Sequence, residues 1–334
     1  MNPLAKAPIG KTRLQVTRVG MGTAPLGGLF EDVPEARSVA TVKRALALGI
    51  NFLDTAPLYG YGKSETYLGK ALASTHRSSF VLCTKVGRLL VPTDPRQLEL
   101  REFDRPFPFK PVFDFSYDAV MRSFEESLKR LQTDRIDILL IHDPDDHYEQ
   151  ALSSAYPALA KLRSEGVISA VGAGMNQAEM LARLAREGDF DCFLLAGRYT
   201  LIDHTGLKEL LPLCVQKNIS IIVGGPYNSG VLASGAQPGA KYNYADAPPE
   251  ILEQVRKVQE VCARHQVPMK AAALQFPLAH PAVAAVIPGA RALEEVEENF
   301  RLASHPIPAV FWADLRKEGL LPDNAPVPKG ADAN

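Results

Sequence analysis

NFLDTAPLYGYGKSETYLGKAL, residues 51–72, opens on a short apolar run that ends in a carboxylate, Asp54. A loop with Tyr59 follows, and a helical pattern begins near Ser64 and runs to Leu72. A strand, a loop bearing polar side chains and an amphipathic helix make one βα unit of the kind that builds a parallel sheet.

The same rhythm extends in both directions. Candidate strands are Val19 to Gly22, Asn51 to Asp54, Val81 to Lys85, Ile136 to Ile141, Val167 to Ala173, Cys192 to Ala196, Ser220 to Gly224 and Ala284 to Ile287. Helical patterns lie at Glu35 to Leu48, Ser64 to Leu72, Tyr117 to Leu131, Ala151 to Ser164, Gln177 to Arg186, Gly206 to Gln216, Glu250 to Arg264 and Glu294 to Phe300. Eight strands each followed by a helix predict an α/β fold of the (β/α)8 TIM-barrel type, because an open doubly wound sheet more often stops at about five or six strands. Residues around Ile9 to Val16 alternate polar and apolar, predicting an N-terminal β-hairpin that plugs the bottom of the barrel. Two long connections, Gly87 to Ser116 and Gly225 to Pro249, follow strands and so belong to the C-terminal face, where barrel active sites lie. Residues 1–334 are read as one domain, with about 321–334, rich in Pro, Gly and Asp, as a loose tail.

Composition narrows the function classes. Hydrophobic residues make up 46% and charged residues 22% of 334, enough apolar surface for a large core. Lys plus Arg total 37 against 38 Asp plus Glu, which leaves no basic stripe for a nucleic acid. Cys83, Cys192, Cys214 and Cys262 are far apart and form no C-x-x-C pair, so they read as buried reduced thiols. No apolar stretch approaches the ~18 residues of a membrane span and none resembles a signal peptide, so a cytoplasmic location is expected.

The chemistry-bearing residues fall at strand ends. Asp54, Lys85 and His142 close three successive candidate strands, and Tyr59 lies in the intervening loop, so the four converge on one mouth of the barrel. Taken singly, Asp54 reads equally as a turn cap, His142 as a core histidine and Tyr59 as packing. Lys85, an ammonium after a mostly apolar strand, needs a carboxylate partner or a special task, and Asp54 is the nearest candidate partner. A Schiff-base aldolase using Lys85 requires an apolar pocket instead. The run HDPDDH offers His142, Asp143, Asp145, Asp146 and His147 to a metal, but its Pro and its place at a loop start favour a solvated turn, and no metal is expected.

NFLDTAPLYGYGKSE resembles the aldo-keto reductase family, in which Asp and Tyr are separated by four residues and G-x-S-E follows. RVGMGTAPLGG is similar to that family's first strand, VLCTKVG to its third, IDILLIHDPD to its fourth and VIPGARALEEVEENF to its cofactor-binding end. The resemblance implies an NAD(P)-dependent oxidoreductase in which Tyr59 donates or accepts the proton, Lys85 lowers its pKa, Asp54 holds Lys85 and His142 orients the substrate oxygen. Physics agrees, since an adjacent ammonium stabilises a phenolate.

No complete G-x-G-x-x-G follows a strand, so a Rossmann site is disfavoured. The resemblance implies a dinucleotide stretched across the barrel mouth, held by Gly22, Thr23, Asp54, Asn176, Gly230, Leu232, Pro288, Gly289, Arg291, Glu295, Glu298 and Asn299. NAD is expected over the alternative NADP, because basic residues of the NADP-binding members are replaced by Gly289 and Glu295; Arg291 counts the other way. The sequence departs from the usual pattern at GAGMN, at Ala196 and at Gly224, where a nicotinamide-stacking aromatic is usual; Tyr227 is the candidate substitute. GAGMNQ, LLAGRYTLID and GGPYNSGVL look like the branch of the family that holds aldose and pyridoxal dehydrogenases. That branch implies oxidation of an aldopyranose such as L-fucose, L-galactose or D-arabinose at C1, with Arg88, Arg198, Tyr227 and Asn228 as candidate hydroxyl contacts. Pyridoxal oxidation, general aldehyde reduction and a nucleotide-binding regulatory subunit are the alternatives, and the partner is a small molecule.

Overall fold

The computed structural model describes residues 2–98, 100 and 102–330. Its eight central strands are β3 (Met21–Gly22), β4 (Phe52–Asp54), β5 (Val81–Val86), β8 (Ile138–His142), β9 (Ala170–Met175), β10 (Cys192–Ala196), β11 (Ser220–Gly224) and β14 (Val283–Ile287). They pair in parallel in that order. Parallel bridges Val19 to Val286 and Gly22 to Gly289 close β3 onto β14, so the predicted barrel is present. Below it, β1 (Lys6–Pro8) and β2 (Gln15–Thr17) form the expected hairpin, whose Ile9 and Val16 are fully buried among the inward barrel residues.

Side-chain alternation places the site. A strand sends every second residue to the same face. Phe52 on β4, Val81 and Cys83 on β5, and Ile138 and Leu140 on β8 fill the barrel interior. Leu53, Leu82, Leu139 and Ile141 pack outward against the helices. Continuing the inward parity by one step brings Asp54, Lys85 and His142 to the C-terminal mouth, above that apolar plug.

Several boundaries differ from expectation. β9 begins at Ala170 rather than Val167, because the chain around Gly166 is still completing the preceding helix: Val167 N donates to Leu162 O, and the Val167 side chain is exposed. β8 starts at Ile138 rather than Ile136, since Asp137 is used to accept the Leu82 amide. The helix expected over Ala151 to Ser164 begins earlier, at Tyr148, and passes through a π turn at Ala151–Ala155 just before Pro157, which has no N–H to continue the regular ladder. Helices Met269–Gln275 and Ala309–Lys317 were not anticipated. Gly87 to Ser116 contains the hairpin β6 (Arg88–Pro92) with β7 (Phe109–Phe113). Gly225 to Pro249 contains a short helix, Val231–Ser234, and the small hairpin β12 (Lys241–Tyr242) with β13 (Ala245–Asp246). The tail is not loose over its first part: Leu321 and Ala325 are buried, and Arg316 Nη2 donates to Ala325 O at 2.5 Å. Residues 331–334 lie outside the described residues. Among the described residues no helix is long and apolar enough to cross a membrane.

Candidate active site

Lys85 is the centre of the site. Its Nζ lies 3.0 and 2.8 Å from the two Asp54 carboxylate oxygens, 2.8 Å from Thr55 O and 3.1 Å from Tyr59 Oη. Lys85 and Asp54 are almost wholly buried. Burial alone would push Lys85 down and Asp54 up; the ion pair they form, with Tyr59 adding to it, outweighs burial for Lys85 and holds the ammonium charged well above its ordinary range. A Schiff-base role, which needs a neutral amine, does not fit this environment.

The loop that carries Tyr59 is clamped by its own motif. Ser64 Oγ donates to Thr23 at 2.8 Å and contacts Thr55 Oγ1 at 3.1 Å. The fully buried Glu65 accepts from Thr84 Oγ1 and from Arg130 Nε, each at 2.7 Å. Gly60 has φ +61, and a Cβ there would stand 2.2 Å from Gly27 O. The backbone around Tyr59 therefore presses directly on the loop after β3, which no side chain would permit.

Burial pushes the Tyr59 phenol above its ordinary value, against the pull of Lys85. The lowering expected from sequence is thus one component of the environment and not its net effect in the protein alone. His142 stands edge-on to Tyr59, with ring centroids 6.0 Å apart. Burial, with Arg88 and Lys85 nearby, holds its pKa well below the ordinary range, so the imidazole is neutral at neutral pH. Its Nδ1 is buried with no partner, while Nε2 faces Asp143 Oδ2 at 3.5 Å. The proton therefore belongs on Nε2, as a donor toward the cavity.

Tyr59, Lys85 and His142 share a cavity of about 570 Å³ with Leu29, Arg88, Phe103, Asp143, Asp145, Asp146, Asn176, Gln177 and Tyr244. Within HDPDDH, Arg88 binds Asp143 at 2.5 Å, and His147 packs against both Phe113 and Phe115.

A model of the aldo/keto reductase family matches residues 18–318. The chain belongs to that family. It is similar to pyridoxal 4-dehydrogenase of Microbacterium luteolum, at 39% identity over 95% of this chain and 98% of that protein. It is also similar to D-threo-aldose 1-dehydrogenase of a Pseudomonas species, at 38% identity over 92% and 96%. The holo form of an aldo-keto reductase from Bacillus halodurans superposes with a TM-score of 0.76 at 26% identity, covering 98% of each chain. As an aldo/keto reductase, the chain is an NAD(P)-dependent oxidoreductase.

The aldo/keto reductase fold brings a second cleft, of about 330 Å³, up to the catalytic cavity, and Leu29 lines both. Gly225, Gly230 and Gly289 give it a floor of bare backbone; a Cβ on Gly289 would come within 2.7 Å of Pro25. Ser229, Lys270, Arg291 and Asn299 supply polar donors. A cleft of close-approach backbone and donors beside the catalytic cavity fits part of a dinucleotide.

Of the residues expected to hold the cofactor, Gly230, Gly289, Arg291, Glu295, Glu298 and Asn299 line this cleft, and Asn176 lines the catalytic cavity. Gly22, Thr23, Leu232 and Pro288 do not. Gly22 N donates to Pro288 O as part of barrel closure, and Thr23 gives both its N–H and its hydroxyl to Asp54 O. Leu232 is fully buried in the core. Asp54 stays beneath Lys85. Glu295 does not face the cleft as a free carboxylate: it accepts from Arg291 N at 2.8 Å and from Arg291 Nη2 at 3.3 Å. Tyr227 is anchored through its hydroxyl to Asn299 Oδ1 at 2.6 Å. Arg198 pairs with Asp203, and Asn228 donates to Gly197 O, both outside the catalytic cavity. Sequence reading missed Phe103, Tyr244 and Lys270. Lys270 sits on the unanticipated Met269–Gln275 helix, and Phe103 and Tyr244 sit in loops whose composition gives no periodic signal.

Proposed function

We propose that the protein oxidises an aldopyranose at C1 to the lactone, with Tyr59, Lys85, Asp54 and His142 as the catalytic group and NAD as the cofactor. The observation that carries this reading is the buried Lys85 ammonium held between Asp54 and the Tyr59 hydroxyl at the base of a cavity walled by polar side chains.

A nicotinamide nucleotide held by the residues of the second cleft would supply, at the catalytic cavity, the acceptor for the hydride leaving C1. Tyr59 as phenolate takes the C1 hydroxyl proton, and the breaking O–H bond leaves its electron pair to form the C1 carbonyl. Lys85 stabilises the phenolate, and Asp54 keeps Lys85 charged and in place. His142 donates from Nε2 to the reacting oxygen, which bears changing charge in the transition state. Asp54, Lys85 and His142 are buried, which keeps water away from them.

Arg88, Asp143, Asn176 and Gln177 suit a polyhydroxylated ring better than a simple aldehyde. Phe103 and Tyr244 favour a second reading, a flat pyridoxal-like ring, in keeping with the 39%-identical relative. A panel of aldoses, pyridoxal and simple aldehydes, each with NAD and NADP and followed by absorbance of the reduced nucleotide, separates them. Higher kcat/KM on pyridoxal than on every aldose would overturn the sugar reading.

A further inference from the structure

The geometry points to Arg88 and Asp143 as a clamp for a vicinal diol, gripping the hydroxyl next to the reacting carbon of the sugar; this rests on the aldose reading above. The reacting oxygen must lie where Tyr59 Oη and His142 Nε2 both reach it. Asp143 Oδ2 is 3.5 Å from that same Nε2, one hydrogen-bond step further along the cavity wall. Neighbouring oxygens on a sugar ring are themselves about 3 Å apart, a hydrogen-bond spacing. A substrate oxygen bound by His142 therefore presents its neighbour to Asp143 and Arg88.

The pair is built to hold its shape. Arg88 Nη2 donates to Asp143 Oδ2 at 2.5 Å, and the guanidinium lies 4.4 Å from the centroid of the Phe113 ring, which fixes its plane. Asp143 adopts φ +41, a left-handed conformation that Asp tolerates better than most non-glycine residues. Its amide donates to Gly174 O at 3.0 Å, so the strand end of β9 sets the direction of the turn. Burial raises the Asp143 pKa, and the Arg88 guanidinium beside it opposes that rise. With 29% of the Asp143 side chain accessible and both residues lining the cavity, the pair offers an acceptor and a donor side by side. That is the arrangement two adjacent hydroxyls satisfy and an alkyl chain does not. A site built around such groups disfavours an analogue lacking the hydroxyl, because Arg88 Nε, buried with no hydrogen-bond partner in the protein, then stays unsatisfied.

The test compares an aldopyranose with its 2-deoxy analogue in the full-length protein with NAD. The wild type is expected to favour the parent sugar by about 10²-fold in kcat/KM. In Arg88→Met and in Asp143→Asn that preference should shrink to about threefold, through a rise in KM for the parent sugar that exceeds the fall in kcat. A wild type that turns over both sugars equally overturns the clamp and leaves the aldose reading standing. Variants that keep the preference and lose only kcat also overturn it, assigning the pair to His142 instead. Absence of turnover on any aldose overturns both. If Arg88→Met fails to fold, the wild-type comparison and Asp143→Asn still decide.

Discussion

The ammonium of Lys85 touches the Tyr59 phenol twice over, its Nζ lying 3.1 Å from the hydroxyl oxygen and 4.7 Å from the ring centroid. It thus stabilises both the phenolate charge and the ring that bears it. No other ammonium or guanidinium among the described residues makes a hydrogen bond or ion pair to Tyr59 in the structure.

Tyr59→Phe removes the proton acceptor and leaves the ring. Turnover should fall at least about 10²-fold, with cofactor affinity nearly unchanged, since the second cleft is lined without Tyr59. Lys85→Met should do the same. Steady-state rates with nucleotide titration by fluorescence check this, and more than about half of wild-type turnover in Tyr59→Phe would remove the tetrad assignment.

The pH dependence follows from two directions. The Tyr59 pKa lies above its ordinary value through burial, so below that pKa the phenolate fraction grows about tenfold per pH unit. Oxidation needs the phenolate, and its kcat/KM should climb from about pH 6 to about pH 9 without a plateau. Reduction uses the protonated phenol and should be flat over that range. The His142 pKa is depressed by burial, so no inflection is expected near its ordinary value. An inflection there in wild type that is lost in a His142 variant would show that His142 titrates in the working range.

Asp54, Lys85 and His142 were legible because each terminates an apolar run, and the two-residue period of a strand leaves only one face for them. The start of β9 was not, since Val167 and Ile168 continue the apolar run although the chain there still turns out of a helix. Thr23 does not line the second cleft, and its hydroxyl is taken up by the Asp54 carbonyl, a tertiary contact 31 residues away with no local signature. Leu232 lies in an amphipathic turn, and only packing decides which face is inward. The hairpin β6–β7 is rich in Pro and Phe and carries no clean alternation, so the ring that fixes Arg88 came from a segment that reads as loop.

Cofactor choice is expected to turn on Arg291. It is bracketed by Glu31 at 2.8 Å and Glu295 at 3.3 Å, so a 2′-phosphate approaching it meets two carboxylates. NAD should have the higher kcat/KM. The double variant Glu31→Gln, Glu295→Gln frees the guanidinium and should move the NADP to NAD ratio up by about tenfold. Kinetics with both nucleotides measure this, and a wild type that prefers NADP would show that Arg291 prevails over its two neighbours.

Gly60→Ala tests whether the backbone contact between two loops positions the catalytic phenol. The added Cβ meets Gly27 O at 2.2 Å, and φ +61 is strained for alanine, so the loop must shift. A cost of about 1–3 kcal/mol in stability is expected. The larger effect should be on turnover, because Tyr59 is the adjacent residue and its 3.1 Å contact with Lys85 depends on where that backbone sits. A displacement of about 1 Å at a reacting group can reduce the rate by about 10²-fold. Asp54 and Lys85, held on β4 and β5, should keep their pairing. The expected signature is therefore a folded protein that binds nucleotide normally and turns over slowly, read by thermal unfolding, nucleotide titration and steady-state rates on one sample. A Gly60→Ala variant with wild-type kcat would show that the phenol finds its place without this contact, and that the Ser64 and Glu65 hydrogen bonds alone fix the loop.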